Sequence, residues 1–304
     1  MQLCLFSISY AGLWGQAAVD LHAFVRRTKS LGFDAVMLAG KRPHLSPLDA
    51  NESYLEQLRD VLEQSDMRCA VVAAYTDFGG TVAAEVPYLE MQIVQVENLC
   101  RLARRLGASL VRVFTAYEQP HQSPQTTWRQ TVNCLREICD RAAAWDVTIA
   151  IQNHHDIGLH TQALLELLAD IGRPNARLGF DAWSPALRGE DLYRAALAAA
   201  PHTAITTNAD YVRLPRYHYR PELVNYESVA PDLVRAVPFG TGFIDYAAFF
   251  SGLRDGGFDG VATYEMCSPI RGGGDLKNLD RYAAAYVTWM RRHVLGEGAA
   301  QAPA

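Results

Sequence analysis

Short runs of apolar and β-branched residues alternate along the chain with longer stretches whose apolar positions recur every three or four residues. The short runs predict strands at 3–9, 35–40, 68–75, 110–116, 147–152, 176–181, 204–208 and 260–266. Several are apolar throughout, such as Ala70-Val71-Val72-Ala73-Ala74, the pattern of a strand covered on both faces. Between them the period changes. Over 88–106 the apolar residues Leu89, Ile93, Val96, Leu99, Ala103 and Leu106 fall on one helical face, and Gly107 takes the left-handed position behind them. Thr161 is placed to cap a helix over 162–171, which Gly172 and Pro174 stop. The last helix is expected at about 276–295.

Eight strands and eight helices in strict alternation imply parallel pairing, because each right-handed crossover takes its own helix. Eight units in one domain favour a closed (β/α)8 TIM barrel, an α/β fold, over an open sheet. No dinucleotide-type glycine fingerprint follows the first strand, where the chain reads Ser9-Tyr10-Ala11-Gly12-Leu13-Trp14-Gly15. The barrel is expected to fill 1–295, with 296–304 a disordered tail. One connection is long. After the seventh strand the surplus 211–240 is rich in tyrosine, arginine and proline, and is expected to be a loop acting as a lid on the catalytic face, or else a subunit contact.

Composition narrows the class. A net charge of −5 and a pI near 6.0 argue against a nucleic-acid partner. No apolar run approaches a membrane span, and the first residues lack a basic leader with a cleavage site. Six scattered cysteines without a C-x-x-C pair read as reduced core thiols of a cytoplasmic protein.

A barrel of this type carries its site at the C-terminal ends of its strands. Oxygen and imidazole groups gather there after the fifth to eighth strands: Gln152 with Asn153-His154-His155-Asp156, then Asp181, Asn208 with Asp210, and Glu265. Gln152, Asp181, Asn208 and Glu265 each end an apolar run. Four such oxygen donors suit a hard divalent cation, Mn²⁺ or Mg²⁺; taken singly, each is equally a loop hydrogen-bond partner. His154 lies two residues past Gln152, on the same strand face, and imidazole titrates near ~6.5, which suits a base. Its plainer reading is a hydrogen bond to a neighbouring loop.

Lys41 and His44 are candidates for binding substrate hydroxyls or a carbonyl, against solvated loop charges. Arg271, before Gly272-Gly273-Gly274, opens the last helix either as an anion site or as a flexible loop. Trp14, Tyr75 and Trp183 are placed to stack on a substrate ring or to pack the rim, and nothing singles out Asp77 or Glu118 as acids.

The runs Ile149-Ala150-Ile151-Gln152-Asn153-His154, Leu178-Gly179-Phe180-Asp181 and Thr263-Tyr264-Glu265 resemble the xylose-isomerase-like superfamily, the group of sugar phosphate isomerases and epimerases. The resemblance covers about residues 1–292. It implies a (β/α)8 barrel, a sugar, keto-sugar or inositol-type substrate, and a divalent metal held by Glu, Asp, His and Glu from strands five to eight. Mn²⁺ or Mg²⁺ is implied first, with Zn²⁺ or Co²⁺ also open. Asp181 and Glu265 match that set, Gln152 replaces the first glutamate, and Asn208, or Asp210 in another register, replaces the histidine. The ligand charge falls to −2, and one of the two glutamates that serve superfamily epimerases as acid and base is gone.

The resemblance thus implies a metal-dependent isomerase or epimerase that removes a proton next to a carbonyl, with His154 and Glu265 moving protons. C-glycoside deglycosidase catalytic subunits carry a similar Glu-Asn-His run whose histidine is the base. A β-eliminating lyase on a keto-sugar or keto-glycoside, of that kind or resembling an inosose dehydratase, is therefore the alternative. A non-catalytic sugar-binding subunit is the other. Metal-assisted phosphodiester hydrolysis, as in the superfamily's repair endonucleases, needs more histidines than these strand ends offer. A homo-oligomer is expected, with a heteromer containing a small accessory subunit as the variant.

Overall fold

Strands that are apolar on both faces need cover on both, and here the sheet curls until its edges meet. The computed structural model describes residues 1–80 and 85–296. The first seven parallel strands are β1 (Gln2–Phe6), β2 (Ala35–Ala39), β3 (Arg68–Ala73), β4 (Leu110–Val113), β5 (Thr148–Gln152), β6 (Ala176–Gly179) and β7 (Thr203–Asn208). A hairpin of β8 (Asp210–Arg220) and β9 (Asn225–Val237) follows, and β10 (Val261–Tyr264) closes the barrel between β7 and β1. The predicted α/β barrel is thus the observed fold.

Helices α1 (Leu21–Ser30), α2 (Glu52–Gln64), α3 (Tyr88–Arg105), α4 (Pro124–Ala143) and α5 (Thr161–Ile171) separate the first six strands. Two short helices, α6 (Trp183–Arg188) and α7 (Leu192–Ala199), then fill the step where one was expected, before α8 (Tyr246–Asp255) and α9 (Leu276–His293). Asp20, Asn51, Ser123 and Asp275 each accept a backbone N–H three residues on, starting α1, α2, α4 and α9. The cap of α5 is His160, whose Nδ1 accepts the Gln162 N–H at 3.3 Å, and Thr161 is the first helical residue instead. Gly107 and Gly172 adopt φ of 78° and 58°, the left-handed geometry their positions after α3 and α5 predict.

Alternation along each strand sorts the core into two shells. Leu3, Leu5, Val36, Leu38, Val111, Val113, Ile149 and Ile151 face outward, in the core that includes the helices. Cys4, Phe6, Met37, Ala39, Val71, Ala73, Ala150, Ile205 and Val261 form the separate inner cluster. The alanines in that inner set leave room inside the barrel for long polar side chains.

Residues 211–240 differ from expectation. Most of the stretch is an antiparallel ribbon paired from Asp210↔Val237 to Arg220↔Asn225, with a bulge between Leu214 and Arg216. Beyond its base both faces are exposed, so no buried side imposes the apolar alternation that marks a strand in sequence. The first strand is shorter than 3–9 because a 3-10 turn, Ser7–Tyr10, follows it. Among the described residues no helix is long and apolar enough to cross a membrane. From residue 297 on, the expected tail lies outside the described residues.

Candidate active site

A cavity of about 350 Å³ opens at the C-terminal mouth of the barrel. A broader depression of about 640 Å³, around Gly272, Asp275 and Arg281, lies elsewhere; of the predicted positions it touches only Gly272 of the glycine run after Arg271. The mouth cavity brings together Lys41, Tyr75, Gln152, His154, Trp183 and Glu265, all singled out from the sequence. It also holds His155 of the same strand-end run as His154, and adds residues that the sequence pattern did not single out: Arg112, Phe114, Tyr211, Val234 and Cys267.

Arg112 is the largest of these omissions. It sits in the run Leu110-Val111-Arg112-Val113, and its neighbours Val111 and Val113 face outward, so the guanidinium points into the barrel and is 1% exposed. A charge in a strand covered on both faces has only the barrel interior to go to, which was the available signal. Arg112 Nη1 donates to the Ala74 carbonyl at 2.8 Å. The guanidinium lies 3.9 Å from the Phe114 ring centre and 5.0 Å from that of Tyr75. Its Nε has no partner, and neither has the buried Tyr75 hydroxyl. Lys41 Nζ stands 3.8 Å from the centre of the Tyr75 ring. Burial, then the neighbouring Arg112, hold its ammonium pKa below the ordinary lysine value.

Glu265 is the one carboxylate among the described residues that line the cavity. Burial raises its pKa, with the charge of Arg112 opposing. Asp181 lies deeper, 4% exposed and outside the lining. Gln152 Nε2 donates to its Oδ2 at 2.9 Å and the Ser184 N–H reaches its Oδ1 at 3.4 Å. Burial nevertheless pushes Asp181 up to about 7, with Glu265 adding to the rise. Asn153 bridges the same turn, donating to the Asp181 carbonyl and accepting the Asp181 N–H.

His154 reaches the cavity, packed 4.4 Å from the Phe114 ring centre. Its Nδ1 lies 3.0 Å from His155 Nδ1 and accepts the His155 backbone N–H, so the ring is held by that edge. Burial, then His155 and Arg112, drive its pKa down to about 3, leaving a neutral imidazole. His155 makes this contact from a left-handed backbone, φ 69°, with Nε2 3.0 Å from the Thr76 carbonyl.

Three predicted residues are elsewhere. Asn208 faces outward: its Nδ2 donates to the Thr263 carbonyl at 2.9 Å and reaches the Tyr286 hydroxyl of α9 at 3.4 Å. Alternation gives the inward face of β7 to Ile205 and Thr207 instead. The other register fails too, since Asp210 accepts the N–H groups of Gly240 and Gly242 and so ties the base of the hairpin. His44 is buried behind the strand, Nε2 3.2 Å from the Val19 carbonyl and stacked on Phe24. Arg271 is an exposed loop residue outside the cavity lining.

The four-strand ligand set is therefore not assembled. Both Asp181 oxygens are engaged by N–H donors, β7 offers only the Thr207 hydroxyl, and an unpaired guanidinium shares the cavity. Among the described residues no three His, Cys, Asp or Glu side chains converge as metal donors. Gln152 Oε1 and the Thr207 hydroxyl are buried without partners, but no step below passes through a divalent cation.

An eight-stranded barrel whose mouth gathers a half-buried carboxylate, neutral imidazoles and unpaired cations is the layout of a small-molecule enzyme. Residues 25–293 match the xylose isomerase-like TIM barrel model, and the chain belongs to that family. A 3-dehydroshikimate dehydratase of Bacillus anthracis is 21% identical over 230 residues, 74% of this chain and 78% of that protein. A D-psicose 3-epimerase of Clostridium cellulolyticum H10, solved with D-tagatose, superposes with TM-score 0.74 at 15% identity, covering 97% of this chain and 99% of its own. The IOLI protein, solved with a zinc atom, gives 0.73 at 17% identity over 96% and 99% of the two chains. The activities named for the first two of these proteins are those of enzymes, a dehydratase and an epimerase.

Proposed function

We propose that this chain is a β-eliminating lyase acting on a small polyhydroxylated keto compound. The observation that carries this reading is a single cavity-facing carboxylate, Glu265, with a raised pKa in an enclosed mouth. Half-buried and with its pKa raised by that shielding from water, such a group is a stronger base than an ordinary carboxylate. Epimerisation through two bases needs a second one across the substrate. Gln152 holds that place with an amide that takes no proton near neutrality.

One base suffices for elimination. Glu265 takes the proton next to the carbonyl, and the C–H electron pair forms the enolate. As the carbonyl re-forms, the β-carbon–oxygen bond breaks, and the leaving hydroxyl takes the proton back from Glu265 to depart as water. Neutral His154 in the cavity wall bonds a substrate oxygen and fixes its orientation. The similarity to a dehydratase supports the same outcome.

The test is solvent-deuterium exchange and appearance of a conjugated carbonyl, measured on a panel of keto-sugars and cyclic polyhydroxy ketones. Glu265→Gln is expected to reduce both by about 10²-fold or more while leaving the melting temperature close to wild type. Exchange undiminished in that variant overturns the assignment.

A further inference from the structure

We infer that the substrate carries a carboxylate, seated on Arg112, Lys41 and Tyr75 across the barrel mouth from Glu265. This rests on the reading of the mouth as a catalytic cavity and adds the substrate class. In the ring of strands β4 lies opposite β10, so Arg112 and Glu265 approach the cavity from facing sides. Arg112 is buried with one N–H on a backbone carbonyl and its Nε unpartnered. No ion pair forms with it or with Lys41 among the described residues. Between them the buried Tyr75 hydroxyl also lacks a partner.

A fully buried unpaired cation with a second, half-buried one beside it is costly unless an anion joins them. The rings of Phe114 and Tyr75 lie against the guanidinium, which directs binding to its donor edge, the geometry that matches a flat carboxylate. The guanidinium fork also matches phosphate, but phosphate sites commonly add a helix N-terminus or a nest of backbone N–H groups in a glycine-rich turn. No glycine lines this cavity.

Binding can be read from the fluorescence of Trp14 and Trp183, both in the cavity wall, using D-glucuronate, D-glucose and D-glucose 6-phosphate as probes that differ at one carbon. Glucuronate is expected to bind at least tenfold more tightly than glucose and more tightly than the phosphate ester. Lys41→Met and Arg112→Gln each remove that preference. The partly exposed Lys41 keeps the test valid should the Arg112 variant fail to fold. Glu265→Gln, which stops proton exchange, leaves glucuronate affinity unchanged or raised, so loss of the lyase reading and loss of this one are separable. Equal binding of glucose and glucuronate, no glucuronate binding at millimolar concentration, or preference for the phosphate overturns the inference.

Discussion

At the scale of single residues, the buried carboxyl of Asp181 makes stability fall as pH rises. Its folded pKa, pushed up to about 7 by burial, stands above the ~3.9 of an unfolded aspartate. Its stabilising contribution is therefore complete below about pH 4 and is lost as pH rises through 7. Asp181→Asn keeps an acceptor for Gln152 and removes the titration. Melting curves between pH 5 and pH 8 should fall for wild type and flatten for the variant; parallel curves would refute the assignment. Lys41, Gln152, His154 and Glu265 are legible in the sequence because they follow apolar runs at strand ends. Arg112 is not, because a strand interior reads as packing. His44 shows the converse: a polar residue after a strand turns back onto helix α1, where Phe24 covers it.

Elements are legible wherever a buried face imposes a period, as in α3 and the apolar run of β3. Register is harder, since a shift of one residue exchanges the two faces of a strand. On β7 that exchange decides between Asn208 and Thr207. Asn208 holds β7 to β10 and α9 through Thr263 and Tyr286, so Asn208→Ala should cost about 1–3 kcal/mol in denaturant unfolding without changing proton exchange. A loss of exchange at full stability would return Asn208 to the site. The hairpin is unreadable for the opposite reason: most of it has no buried face. Only its base, through Tyr211 and Val234, lines the cavity. Replacing residues 216–229 by a tight turn should leave substrate affinity within about twofold, whereas Tyr211→Ala, which takes a ring from the wall beside Trp183, should weaken it about tenfold, roughly 1.4 kcal/mol.

Across the whole molecule, closure of the barrel puts β5, β6, β7 and β10 side by side, so positions 152, 181, 207 and 265 lie on the inward side of consecutive strands. The resemblance implies one metal donor from each of these strands, with Asn208 or Asp210 on the seventh, and here the inward position of that strand is Thr207. An amide at 152 and a hydroxyl at 207 leave two charges, and the amide spends its N–H on Asp181. On the opposite wall a guanidinium supplies fixed positive charge. Metal analysis of desalted wild-type protein should therefore find well below one Mn, Mg, Zn or Co per chain, and chelator should leave proton exchange unchanged. Restoring the donors by Gln152→Glu with Thr207→His should raise retained metal towards one per chain, because a charged oxygen and an imidazole then converge with Glu265 and with an Asp181 freed from its amide partner. The same double change made with Asn208→His in place of Thr207→His should not, since that side chain faces α9. One tightly held metal in wild type would show that the native donors suffice, and equal gain from both double variants would show that Thr207 is not the inward position of β7.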